Sequence, residues 1–303
     1  MKNQMTIDRI ANSIIQRRKK YENFILVEGS QDRLFLLKFK NDTTQVEITF
    51  GWEKLLDIIA ALKKRGFAKA IGLIDKDLRD IIPEEIICED NVIITEEHDL
   101  NIMCIEKSFD IIFENYCSQE KVEQFKIIRD TACLKTYTYD LAKPLSFLKI
   151  LNKREKLNLS FKSNESKKNK LDYTKFIDKN KYEIISFDKL VETVTNFSRN
   201  KTDEKILKNE VIVEMLKSII AKENFEQPKL NSGHDFGEII TLGLRKALGT
   251  TEIDSDTFLK EAILTYDSSE FSKTSLFKHI KALEVRQSTV YLKSSLPPTA
   301  ILN

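Results

Sequence analysis

The sequence predicts an α/β protein: an N-terminal, mostly parallel sheet with helices on both faces, followed by a mainly helical C-terminal domain. Three observations predict it. Residues 24–27 (FILV) and Ala70–Ile74 (AIGLI) are short apolar blocks of strand formers, the composition of strands covered on both faces. Helical patterns lie between such blocks. From about Phe109 the pattern changes to long helical periods with few glycines.

Residues 1–20 carry Ile7, Ile10, Ala11, Ile14 and Ile15 at helical spacing and end in Arg17, Arg18, Lys19 and Lys20, cations that suit a helix C-terminus. The reading is a helix packed on the sheet, with phosphate contact by the RRKK cluster as the alternative. Strand 24–27 ends at Glu28. Gly29 permits a tight turn, Ser30 is a helix cap, Asp32 falls in the first helical turn, and Leu34, Phe35 and Leu37 continue the helix. Residues 46–50 alternate as a strand, Trp52–Lys64 is amphipathic, and Gly66 ends it. Strand Ala70–Ile74 then runs into Asp75, Lys76 and Asp77. This β-α-β-α-β order requires right-handed crossovers and parallel pairing.

Residues 78–90, broken by Pro83, are read as an insertion before a strand at 91–95. Glu96, Glu97, His98 and Asp99 follow, then a helix, which Asp99 is expected to cap. The expected division is therefore 1–108 and 109–303.

Open α/β sheets place their chemistry at the carboxyl ends of the strands. Glu28, Asp75 and Asp77 fall at such ends, and oxygen ligands so placed suit a divalent cation. Carboxylates converging without a cation repel one another, so one or two ions are implied.

The combination LVEGSQD followed by LIDKD resembles the Toprim domain, a Rossmann-like metal-dependent fold shared by topoisomerases, bacterial primases, small RNA-maturation nucleases and overcoming-lysogenization-defect nucleases. Its pattern is a Glu after the first strand and Asp-x-Asp after the third. The resemblance assigns Glu28, Asp75 and Asp77 as catalytic. Glu28, Asp32, Asp75 and Asp77 become the ligands of Mg²⁺ or Mn²⁺, with Lys76 and Arg79 adding positive charge near the phosphate. Many relatives carry a Glu two residues after the acid that follows the fourth strand, where this chain has Asn101, a departure from the pattern.

Residues 230–248 (LNSGHDFGEIITLGLRKAL) and the C-terminal FSKTSLFKHIKALE extend the resemblance to one Toprim subfamily, which includes the nuclease effectors of the PARIS anti-phage systems. It implies an abortive-infection toxin held by an ABC-type ATPase partner, released by a phage trigger, active as a homodimer and cleaving host tRNA. The chain has no GxxxxGK[ST] loop, so ATP binding of that kind would fall to the partner. Two alternatives come from other classes: a DNA-cleaving Toprim nuclease, and a non-catalytic docking or sensor subunit of an ATPase complex.

Composition sets outer bounds. In 303 residues, 41% hydrophobic content suffices for a sizeable core, and a net charge of +2 with 32% charged residues confines any nucleic-acid surface to a local patch. The richest patch is 153–181, with Lys153, Arg154, Lys167, Lys168 and Lys170 as candidate phosphate contacts and Phe161, Tyr173 and Phe176 as candidate stacking rings. A solvated lysine-rich loop is the other reading. Cys88, Cys104, Cys117 and Cys133 lack metal-knuckle spacing and read as free, buried thiols. With no signal-peptide pattern and no long apolar run, a reducing cytoplasm is expected. Near the end, Asp235 is read as a cap of the following helix, with a His234/Asp235 acid-base pair as the alternative.

Overall fold

Strand formation at the predicted apolar blocks generates a four-stranded, wholly parallel sheet in the order β2-β1-β3-β4. The computed structural model describes residues 6–84, 89–161, 170–201 and 204–294. In chain order the first elements are α1 (Ile7–Gln16), β1 (Asn23–Val27), α2 (Ser30–Phe39), β2 (Thr44–Ile48), α3 (Trp52–Lys64), β3 (Ala70–Ile74), β4 (Val92–Ile94) and α4 (Leu100–Tyr116). Then come α5 (Gln119–Arg129), α6 (Leu134–Glu155), a two-stranded hairpin of β5 (Ile177–Asp178) and β6 (Glu183–Ile184), α7 (Phe187–Arg199) and α8 (Asn209–Lys222). The chain closes with α9 (Gln227–Leu230), α10 (Gly233–Arg245), α11 (Ser255–Thr265), α12 (Ser268–Lys273) and α13 (Ser275–Gln287).

The β1, α3 and β3 predictions hold to within a residue because those segments carry strong local periodicity. β2 begins two residues earlier than its alternation suggested. Gly66 ends α3 with φ +73°, the left-handed conformation that favours glycine.

By internal contacts the chain divides into two units. One comprises Met1–Lys76, Glu84–Ser108 and Ala262–Asn303; the other comprises Asp77–Pro83 and Phe109–Glu261. One boundary falls between Ser108 and Phe109, while Asp77–Pro83 groups with the second unit and the chain from Ala262 groups with the first. The physical reason lies on α2, whose Phe35 and Phe39 need an apolar cover. Phe271 supplies it, with ring centroids 5.2 Å from Phe35 and 4.4 Å from Phe39, and Tyr266 stands 5.7 Å from Phe35. Lys38 Nζ donates to the carbonyls of Ile263, Leu264 and Tyr266 at 2.7, 2.8 and 2.7 Å, closing the end of α11. Buried Glu284 accepts from the Tyr291 and Leu292 amides, which fixes the segment after α13.

In the first unit, Ile10, Ala11 and Ile14 of α1 and Leu55, Ile58, Ile59 and Leu62 of α3 cover Phe24, Leu26 and Ala70 on one face of the sheet. Each such large side chain contributes roughly 1.5–3 kcal/mol by burial. In the second unit, Phe109, Phe113, Phe236 and Phe258 form an aromatic cluster with Tyr139.

Gly249 of this second unit has no room for a side chain: a Cβ there would lie 2.6 Å from the Leu244 carbonyl oxygen and 2.7 Å from that of Tyr116. Gly249→Ala is expected to lower stability by about 1–3 kcal/mol, read as a shifted urea midpoint with unchanged slope.

Cys104 is buried, Cys117 half-buried and Cys133 exposed, all as free thiols, which corrects the expectation that the cysteines are uniformly buried; Cys88 lies outside the described residues. Among the described residues no helix is long and apolar enough to cross a membrane.

Candidate functional site

Parallel pairing brings the carboxyl ends of β1, β3 and β4 to one edge of the sheet. Val27 stands opposite Leu73, so Glu28 and Asp75 leave neighbouring strands one residue apart in register. Glu28 Oε1 accepts the Asp75 backbone N–H at 3.0 Å. The first acid and the first member of the Asp-x-Asp pair, 47 residues apart in sequence, are therefore in direct contact.

Two helices start at the same edge. At the head of α2 the Gly29 N–H donates to Asp32 Oδ2 at 2.8 Å, so Gly29 and not Ser30 occupies the cap position. At the head of α4 the Ile102 N–H donates to Asp99 Oδ1 at 2.8 Å, the predicted capping role of Asp99, and the Leu100 N–H points to Asp75 Oδ1 at 3.4 Å. Helix N-termini favour such carboxylates through their unsatisfied N–H groups and dipole. An amide pair ties the two first turns together, Asn101 Nδ2 donating to Gln31 Oε1 at 2.8 Å. Thr95 Oγ1 braces the third turn, accepting the Lys76 N–H and donating to the Glu97 carbonyl, both at 2.9 Å.

Asp32 and Asp99 are each only 8% exposed. Burial pushes the Asp32 carboxyl up to about 6; the Gly29 N–H opposes this and the Asp99 carboxylate adds to it. A carboxyl raised in the folded state favours folding below its unfolded value near 4, and that contribution is lost as pH rises through about 6. Asp32→Asn is accordingly expected to stabilise the metal-free protein at pH 7 by on the order of 2 kcal/mol and to flatten its melting temperature between pH 4 and 7. Thermal melts across that range check it.

Asn101 is 9% exposed, and its Oδ1 is enclosed with no hydrogen-bond donor among the described residues, as expected of an oxygen placed for a cation. Among the described residues no three His, Cys, Asp or Glu side chains are grouped so as to hold a metal ion. Asp77 has φ +51°, and its carboxylate stands 3.5 Å from Arg79, whose side chain is 8% exposed. His98 is buried.

Of the candidate nucleic-acid contacts, Lys167 and Lys168 lie outside the described residues. Lys153 and Arg154 fall in the last turn of α6, where Arg154 pairs with Glu223 at 2.6 Å; Lys170 stands 3.8 Å from Glu238. The stacking role foreseen for two rings is corrected: Tyr173 and Phe176 are buried, 6% and 1% exposed, because both belong to the core of the second unit, while Phe161 is half-buried.

The capping role expected of Asp235 is also corrected. Ser232 caps α10, accepting the Asp235 N–H at 3.3 Å, and the Asp235 side chain is buried between two other elements. Its Oδ1 accepts the Tyr173 hydroxyl at 2.6 Å and its Oδ2 pairs with Lys149 Nζ of α6. His234 is more than half exposed, with Nδ1 3.8 Å from Asp235 and Nε2 3.8 Å from Glu238. Sequence reasoning missed Lys149; the apolar helical pattern on both sides of it was the available signal that this lysine faces inward.

No protein-family model matches the chain, and no curated protein matches it.

Proposed function

We propose that this chain is a divalent-metal-dependent Toprim endonuclease similar to AriB, the nuclease effector of the PARIS anti-phage systems. In that reading it cleaves host tRNA as a homodimer once released from an AriA-like ABC-type ATPase partner. The observation that carries the nuclease reading is the contact between Glu28 and Asp75 at the ends of adjacent parallel strands. A scaffold without a catalytic task gains nothing from setting acidic side chains together at a sheet edge with buried Asp32 and Asp99 close by.

On the resemblance, Glu28, Asp32, Asp75 and Asp77 would hold the cation. A bound Mg²⁺ or Mn²⁺ supplies charge stabilisation on the phosphoryl oxygens and lowers the pKa of a bound water. Glu28 would move a proton between water and the scissile phosphate. Its own geometry is set by the Asp75 N–H, and the Asp75 carboxylate is oriented by the Leu100 N–H at the head of α4. Lys76 and Arg79 add positive charge, Arg79 while paired with Asp77. The choice of tRNA, the defence role and the partner follow from the resemblance of residues 230–248 and the C-terminal motif to the PARIS effectors.

The test is cleavage of end-labelled tRNA, other structured RNA and duplex DNA by the purified full chain in Mn²⁺ or Mg²⁺, against the same mixture in chelator. Metal-dependent cutting of RNA is the expected result. Cutting of DNA alone moves the substrate class; no cutting of any substrate, with the protein folded, favours the docking-subunit alternative.

A further inference from the structure

Within the first unit, β4 is the last strand of the sheet and pairs with β3 alone. The Gly72 N–H donates to the Asn91 carbonyl and the Thr95 N–H to the Ile74 carbonyl, so positions 91, 93 and 95 turn their backbone groups to β3, while Val92 and Ile94 turn theirs outward. The Glu89 carbonyl takes the Val92 N–H at 2.9 Å. Beyond the Ile94 N–H and the Val92 and Ile94 carbonyls there is no strand among the described residues. Natural sheets guard such edges with charged side chains, proline or a covering element. The opposite edge obeys that rule, since β2 carries Glu47 and Arg17 pairs with it at 2.6 Å. β4 reads Val92, Ile93, Ile94, and Ile94 is exposed.

Helix α13 runs beside this edge. Its Ser275 N–H donates to Glu96 Oε1 at one end, and Arg286 donates to the Asp90 carbonyl at 2.7 Å at the other. Between strand and helix lies a cleft of about 370 Å³, lined by Ile93 and Ile94 and by His279, Ala282, Leu283 and Arg286. Its rim is cationic: Lys278, His279 and Arg286 are exposed on α13, whereas Glu284 of the same helix is buried and paired with Lys281. Asp90 is the acid at this rim, and Arg286 stands 3.8 Å from it.

We propose that the outer edge of β4 docks an extended acidic segment of another protein, which adds a fifth strand and lays alternate apolar side chains into the cleft. The open backbone groups supply the pairing, the cleft takes the apolar residues, and the cationic rim selects Asp or Glu between them. A second copy of this chain fits less well. Two β4 edges paired about a two-fold axis run antiparallel and put both α13 helices on the same face, setting the cations of one against those of the other. The site is independent of the nuclease reading, because it runs along the side of β4 and not at the carboxyl ends of the strands.

The probe is a displayed library of short random peptides selected on the immobilised full chain, followed by fluorescence anisotropy with an enriched sequence. Peptides that alternate apolar residues with Asp or Glu are expected to be enriched, and exchanging their acids for Lys is expected to weaken binding about ten-fold. Ile94→Pro removes the outward N–H and leaves the bonds to β3 in place, and it is expected to weaken binding by about the same factor. Arg286→Glu is expected to weaken the acidic peptide and to strengthen the Lys-exchanged one. Glu28→Gln is expected to bind the peptide as wild type does, and circular dichroism checks the fold of each variant. Enriched peptides without acids, no enriched peptide at all, or an affinity unchanged in Ile94→Pro or in Arg286→Glu overturns the docking site. A dimer of the chain in sedimentation that Ile94→Pro dissociates gives the edge to a second copy and overturns the acidic partner.

Discussion

Glu28→Ala is expected to reduce metal-dependent cleavage by about three decades, the equivalent of about 4 kcal/mol of transition-state stabilisation. Removing this side chain takes a negative charge from the cation's surroundings and leaves the Asp75 N–H without its acceptor. The second effect is structural, so Glu28→Gln is the cleaner variant. It keeps an oxygen for the Asp75 N–H and removes only charge and basicity. Both variants are expected to be inactive, with Glu28→Gln melting within a degree or two of wild type. In cells expressing the chain with the proposed ATPase partner and trigger, loss of toxicity should follow loss of cleavage. Equal toxicity of wild type and Glu28→Gln would end the nuclease reading.

Asp235→Ala is expected to be the most destabilising single change in the second unit, at about 3–5 kcal/mol. The carboxylate is 3% exposed and joins α6 through Lys149 to the segment before β5 through Tyr173. Burial pushes its pKa up, but Lys149 and His234 beside it more than reverse that and hold it well below the ordinary carboxylate range. Deleting it strands the Lys149 ammonium and the Tyr173 hydroxyl. The double change Asp235→Leu with Lys149→Met should recover most of the loss, since it removes both charges and leaves apolar volume.

The sign of the pH dependence follows from the same cluster. A carboxylate with a depressed pKa adds stability that is complete above its unfolded value near 4 and is lost as pH falls through its folded value. His234, raised by the Asp235 carboxylate, adds stability below about 6.5 that is lost as pH rises through its folded value. Wild type should therefore lose stability below pH 4 more steeply than Asp235→Leu/Lys149→Met. Urea titrations from pH 2 to 8 measure it; parallel curves would show that the pair is not the source.

The candidate metal edge was largely legible before any coordinates. Apolar blocks of strand length, each running into an acid, place Glu28 and Asp75 at strand ends, and the β-α-β order makes those ends neighbours. Asp99 as a cap was equally local, a short polar side chain three residues ahead of the amide it accepts. Less was legible where a residue's role depends on what returns to it. Nothing near Phe35 and Phe39 says that residues 266–271 will cover them, and nothing near Lys149 says that it will meet an aspartate 86 positions later. Tyr173 and Phe176 looked like rings for stacking because their neighbours in sequence are lysines, yet their neighbours in space are the core.

By itself, then, the sequence determined the parallel α/β sheet, its acidic edge and the helical character of the rest, because periodicity and turn chemistry act over a few residues. The tertiary structure alone decided that residues 262–294 group with the sheet, that Asp235 is a buried counter-charge and not a cap, and that Asn101 Oδ1 has no hydrogen-bond partner among the described residues. Each of those depends on burial against chain remote in sequence. Burial determines whether a polar atom finds water, a partner or a vacant acceptor position.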